Sequence, residues 1–328
     1  MRILFTSTHE AAFIRDDLRL LRKCHEVRPI LTLGVSSLFR IIAGVLNADL
    51  TFTWFASVYS APLVFISHLL GKRSIIVIGG VDAAYEPEFR YGIWVSGWKS
   101  RFVRYAVLHA DLLLALTPFL RDQVKKLAQY RGENIIVLPT GYDPAFWVPG
   151  TGVKERMVLT VAACEDYSRM SIKGIPFLVE AARTMVDVPF VLIGPRGNAA
   201  ELIRELRPPV NMTILPFMPR EQLLVHYQKS AVYCQPSYYE GGLSSSLCES
   251  MLCGCVPVGT NVGGIPTAIG DSGFLVSYGD TGALVQSIRD ALDPPSGMSN
   301  QARSHIATNF SLSRREELLL DHVAGVYR

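Results

Sequence analysis

Short β-branched runs alternate along most of this chain with stretches whose apolar side chains recur at helical spacing. Residues 2–7 open as a strand, 14–24 carry one apolar helical face, and 74–79 and 111–116 read as buried strands. Strands that are apolar on both faces, separated by amphipathic stretches, predict a parallel sheet covered by helices on either side. Residues 135–149 break that rhythm with Pro139, Pro144 and Pro149, and the linker is placed there. The alternation then restarts, with strands expected at 157–162, 189–194, 212–215, 231–234 and 255–258 and a helix at 175–186. A last helical stretch, 312–327, carries no domain of its own and is expected to dock back onto the body.

The expectation is therefore an α/β chain of two Rossmann-like domains, 1–147 and 148–310, facing across a cleft with ligands at the carboxyl ends of both sheets. The length of 328 residues suits two domains, and 49% hydrophobic against 19% charged residues suits buried cores. A net charge of +3 is too small to imply nucleic acid, although residues 1–150 hold 17 Lys and Arg against 12 Asp and Glu. Residues 50–70 come nearest to a membrane span, but Ser57, Ser60, Pro62, Ser67 and His68 favour a buried strand followed by a core helix. The six cysteines sit mostly in apolar runs and read as reduced core residues of a cytoplasmic protein, with no zinc spacing among them.

Chemistry concentrates in residues 239–258, where Glu240 and Glu249 bracket a Gly/Ser turn that leads into a helix. Free amides at a helix start attract an anion, and carboxylates accept from sugar or ribose hydroxyls. That combination suits a nucleotide sugar. Ser246 and Glu249 also fit a capping box, in which the glutamate serves only its own helix.

Four features occur in a telling order: the 135–146 linker, Lys173 before Gly174 and Ile175, the Glu240 to Gly254 segment, and Val262, Gly263, Gly264, Ile265 and Pro266. In that order the chain resembles the retaining GT-B-fold glycosyltransferases of family 4, the glycosyl transferases group 1, over nearly its whole length. The resemblance implies an N-terminal acceptor-binding domain, a C-terminal nucleotide-sugar-binding domain and a C-terminal helix, 311–328, returning to the first. It implies transfer of a sugar from a nucleotide-diphosphate sugar to a glycan, lipid-linked or small-molecule hydroxyl, with retention of configuration.

By the same resemblance Lys173 contacts the diphosphate, Glu240 lies next to the donor sugar as a hydroxyl ligand or as a stabiliser of positive charge at the anomeric carbon, and Glu249 binds the ribose. Where the family has Gly-Arg, this chain reads Ala162, Ala163 and Cys164, and Arg169, read on the same loop as Lys173, is the substitute considered beside a plain surface role. Glu240 and Glu249 stand one residue further apart than in the family. Backbone amides of Gly242, Leu243, Ser244 and Ser245 are expected to meet the sugar or phosphate, Gly264 to allow close backbone approach, and Phe217 and Met218 to lie in the base-binding loop or to be core contacts. On the acceptor side, His9 follows the first strand and Asp82 another; each has a packing role as its alternative reading, and His109 reads as a helix C-cap.

No Asp-x-Asp pair is present, so metal-independent catalysis is expected, with no cofactor beyond the donor. Residues 91–105 mix Trp94, Trp98, Phe102 and Tyr105 with Lys99, Arg101 and Arg104. They read as an ordinary amphipathic helix or as peripheral contact with the inner face of a membrane. Oligomeric state is left open. A Rossmann oxidoreductase would need Gly-x-Gly-x-x-Gly after a first strand, which neither half supplies. A non-catalytic nucleotide-sugar-binding protein on the same scaffold is the remaining alternative.

Overall fold

A computed structural model describes residues 1–34 and 36–327 and divides the chain into two units, Met1–Gly141 with Leu312–Arg328, and Tyr142–Ser311. The first unit runs β1 (Arg2–Ser7), α1 (Ala12–Arg22), β2 (Glu26–Leu31), α2 (Ser36–Asn47), β3 (Leu50–Trp54), α3 (Ser60–Leu69), β4 (Arg73–Ile78), α4 (Gly97–His109), β5 (Leu112–Ala115), α5 (Pro118–Ala128) and β6 (Ile135–Val137). Its six strands are all parallel, in the order β2-β1-β3-β4-β5-β6. Strand β3 is buried at every position, because helices cover both of its faces. Helix α5 starts where Thr117 accepts the Leu120 amide at 3.2 Å with Pro118 in the first turn, which is how that sequence stops a strand and begins a helix.

The second unit runs β7 (Glu155–Cys164), α6 (Tyr167–Ile172), α7 (Ile175–Thr184), β8 (Phe190–Pro195), α8 (Ala199–Glu205), β9 (Met212–Leu215), α9 (Arg220–Lys229), β10 (Ser230–Gln235), α10 (Ser245–Leu252), β11 (Val256–Thr260), α11 (Ile265–Ile269), β12 (Phe274–Val276), α12 (Thr281–Leu292) and α13 (Met298–Asn309). Its parallel sheet has the order β12-β11-β10-β7-β8-β9. Strand order reverses between β7 and β10 here, and between β1 and β3 in the first sheet. Those reversals are the topological switch points, where ligands of open α/β sheets bind.

Helix α14 (Leu312–Tyr327) belongs to the first unit, with Leu319 and Val323 in that unit's core. A buried ion pair fixes it: the Arg315 guanidinium donates to both Asp17 carboxylate oxygens at 3.0 and 2.7 Å and to the Leu138 carbonyl at 2.6 Å. The Trp54 indole donates to the same carboxylate at 3.0 Å.

Two sequence expectations change. Residues 135–137 are an edge strand of the first sheet and not linker, because Ile135–Val137 pairs with β5. The division falls between Gly141 and Tyr142, ahead of the 147/148 position read from the prolines, and buried Trp147 packs in the second unit's core. Of the cysteines, Cys24 is exposed and the other five are buried free thiols. Among the described residues no helix is long and apolar enough to cross a membrane.

Candidate active site

A cluster of polar side chains gathers at the switch point of the second sheet. Lys173 closes α6, downstream of β7, and Glu240 lies in the loop after β10. Their side chains meet, Lys173 Nζ donating to Glu240 Oε2 at 2.6 Å, and both keep partial solvent access, 23% and 14%. The chain can bring them together because Gly174 has φ +69° and lies so close to the Pro236 carbonyl that an added Cβ would sit 1.8 Å from it. Only glycine fits there. The Tyr238 amide then donates to the Ile172 carbonyl at 2.9 Å, seaming the two loops.

Gln235, the last residue of β10, organises the rest. Its amide nitrogen donates to Ser237 Oγ at 2.7 Å and lies 3.4 Å from Glu240 Oε2, while its amide oxygen accepts from Ser244 Oγ at 2.9 Å. The buried Tyr233 hydroxyl lies 2.7 Å from Ser246 Oγ. Gln235, Ser237 and Tyr233 escaped the sequence reading, because nothing local distinguishes a strand-end glutamine that serves two distant loops from one that faces water. Gly263, φ +58°, presses against the Glu240 carbonyl, 1.7 Å from where its Cβ would be, and the Gly264 amide donates to that carbonyl at 2.8 Å. The glycine pair expected to admit a ligand thus clamps the glutamate loop itself.

Gly241, Gly242, Leu243 and Ser244 all precede α10. Leu243 is core, so its backbone alone can face a ligand, and Ser244 holds φ +55°. The helix begins at Ser245 with Ser244 at the cap position and no side-chain cap bond, and Ser246 lies within it. This overturns the capping-box reading. Glu249 instead projects from the body of α10, 7% exposed, and accepts from the buried Tyr227 hydroxyl at 3.3 Å. Burial, then the neighbouring carboxylate, push that phenol well above its usual pKa, so it remains a donor.

Arg169 is not on a loop. It is exposed on α6, one turn before Lys173, whose amide donates to the Arg169 carbonyl at 3.0 Å. A second cation, Arg196, follows β8: its amide donates to the Cys164 carbonyl at 3.0 Å, it pairs with Glu165, and its guanidinium lies 5.4 Å from the centroid of exposed Phe217. Its place at a strand's carboxyl end was the available signal. Met218 packs partly buried against the core.

At the first sheet's switch point His9 is exposed, stacked 4.8 Å from Phe55 with Thr8 Oγ1 3.2 Å from its Nδ1. Asp82, expected to hold an acceptor hydroxyl, is fully buried. Its carboxylate accepts the Gly79, Gly80 and Ala56 amides at 2.8 to 3.0 Å, and burial, against those bonds, lifts its pKa to about 6. It shapes the loop after β4 and presents no free oxygen to an acceptor. His109 Nδ1 donates to the Tyr105 carbonyl at 2.8 Å at the end of α4. Among the described residues no three His, Cys, Asp or Glu side chains are placed to hold a metal ion.

Residues 156–294 match the family model described as glycosyl transferases group 1. The D-inositol 3-phosphate glycosyltransferase of Mycolicibacterium vanbaalenii is 29% identical over 80% of this chain and 61% of its own length. The alpha-maltose-1-phosphate synthase of Mycolicibacterium smegmatis is 26% identical over 80% and 72%. The chain thus spans about three fifths of the length of the first of these relatives. Among solved structures, Anabaena HepE in complex with UDP superimposes with a TM-score of 0.80 at 14% identity, covering 99% of this chain and 100% of that one. Sucrose-phosphate synthase from Thermosynechococcus elongatus gives 0.78 at 15% identity, covering 100% and 99%. The second unit is thus similar to the glycosyl transferases group 1 over residues 156–294, and the chain has a GT-B fold.

Proposed function

We infer that this chain transfers a sugar from a nucleotide-diphosphate sugar to a hydroxyl acceptor, and that the donor sits at the switch point of the second sheet. The observation that carries the reading is the Lys173–Glu240 pair at 2.6 Å, held in partial contact with solvent by Gln235 and two glycine clamps. Relatives support it: two are named for glycosyl transfer and for maltose-1-phosphate synthesis, and the HepE structure contains UDP.

In this reading the donor's diphosphate takes over Lys173, whose ammonium then offsets the charge that grows on the departing oxygen. Amides of Gly242 to Ser245 and the start of α10 add partial positive charge at the same place, so the proposed reaction runs without a metal. Glu240, released from its lysine, faces the sugar and stabilises positive charge at the anomeric carbon. Glu249, steadied by Tyr227, accepts from the ribose hydroxyls, and Phe217 with Arg196 over its ring offers a flat cationic platform for the base. The departing diphosphate oxygen takes the acceptor's proton on the same face, which gives retention.

A panel of UDP-, GDP- and ADP-sugars, incubated with glycan, lipid-linked and small-molecule acceptors, tests this by release of nucleoside diphosphate. Turnover of one nucleotide class is expected. Tight donor binding without turnover across the panel would assign the chain to the binding-protein alternative.

A further inference from the structure

Helices α2, α3 and α4 pack in series, α2 on α3 and α3 on α4, and form one continuous face of the first unit. Its outer side is rich in large apolar groups: Phe39 is 75% exposed, Leu69 73%, Trp98 58%, Leu46 57% and Phe65 55%. Isolated exposed apolar residues are ordinary, but a set drawn from three adjoining helices marks a contact surface. A groove of about 790 Å³ opens within it, walled by Leu38, Tyr59, Phe65, Trp98 and Phe102 with Arg101 alongside.

Charge identifies the occupant. The three helices carry Arg40, Lys99, Arg101 and Arg104 and neither Asp nor Glu, whereas α1 and α5 of the same unit carry both signs. All four cations are exposed, and among the described residues Arg40 contacts the Leu31 carbonyl and Ser37 hydroxyl, Arg104 the Ala128 carbonyl and Lys99 the Trp98 ring, all neutral groups. Their charge is therefore not cancelled. Lys72 ties the face together by donating to the Val45 and Leu46 carbonyls at 2.5 and 2.7 Å. Apolar side chains among cations of one sign match a bilayer interface, whose acyl boundary takes the former and whose anionic headgroups take the latter. A second copy presenting the same face would set like charges against each other.

We propose that the α2–α3–α4 face docks this chain onto the surface of an anionic phospholipid bilayer. Phe39, Phe65, Trp98 and Phe102 enter the interface, while Arg40, Lys99, Arg101 and Arg104 meet lipid phosphates. This does not depend on sugar transfer, and its readout is binding alone.

The test is co-sedimentation of the full chain with phosphatidylcholine vesicles, with and without phosphatidylglycerol, at low and high salt. The expected result is binding to the anionic vesicles that weakens with salt. The pairs Trp98→Ser/Phe102→Ser and Lys99→Glu/Arg101→Glu should each lower it by about ten-fold or more. Circular dichroism and melting temperature should be unchanged in both pairs, and the single change Arg101→Gln, expected to weaken binding less, serves should a pair misfold. Absent binding, equal binding to neutral vesicles, or binding that well-folded variants retain overturns the proposal. So does a lipid-free dimer in sedimentation velocity that the same substitutions abolish, since it would give the face to a second copy.

Discussion

Glu240 and Lys173 form an ion pair, so substituting either changes what its partner does. Lys173→Ala should weaken nucleoside diphosphate binding by about ten- to a hundred-fold, the scale of one charge-assisted contact. Glu240→Gln should instead lower kcat by about a hundred-fold or more while moving affinity little, because its carboxylate acts where charge develops. Calorimetry beside steady-state rates separates the two, and equal losses in both quantities for both variants would contradict the assignment. Asp82 gives a pH signature. Its folded pKa of about 6 stands above the ordinary 3.8. Between those values the folded chain keeps a proton that the unfolded chain has lost, so this group's contribution to stability falls as pH rises. The drop is about 3 kcal/mol between roughly pH 4 and 6, and the contribution is level above that. Urea unfolding of the wild type and Asp82→Asn at several pH values should show their difference shrinking over that window, and a constant difference would contradict the account.

At the scale of elements, much was legible because the pattern is local. Strand Met212–Leu215 and helix Leu312–Tyr327 lie where their periodicity puts them, and most other elements shift by only a residue or two at their ends. The site was legible in part. Lys173, Glu240 and Glu249 stand out by residue type and order, but Ser-x-x-Glu at 246–249 fits a cap equally well until Ser244, with φ +55°, starts the helix earlier. The fate of Asp82 depends on loops that fold over it, and Gln235 acquires its role from residues on two separate loops. Those are tertiary facts, invisible to spacing. The Arg315 tie of α14 is another, 298 residues from Asp17. Arg315→Leu leaves Asp17 buried beside Trp54 without its cation, and should cost about 3 to 5 kcal/mol in urea unfolding. Asp17→Leu/Arg315→Leu should cost less than the two single changes summed. Gly174→Ala should lower both stability and donor affinity, since the φ and the Pro236 carbonyl force the Lys173 turn to move.

At the scale of the molecule, the two units have separate cores, one spanning β1 to β6 with α14 and the other built around β7 to β12. Separate cores can melt separately. Calorimetric scans of Arg315→Leu should therefore lower one transition and spare another, and a nucleoside diphosphate should raise the one that Arg315→Leu spares. A uniform shift of a single transition would contradict that division of labour. The central claim, that the second sheet's switch point binds a nucleotide-diphosphate sugar through Lys173, is tested most directly by titrating UDP, GDP, ADP and NAD into the wild type and Lys173→Ala in a calorimeter. The account predicts that one nucleoside diphosphate binds the wild type and binds the variant about ten-fold or more weakly. Binding of NAD in its place, or equal affinity for the wild type and the variant, would contradict it.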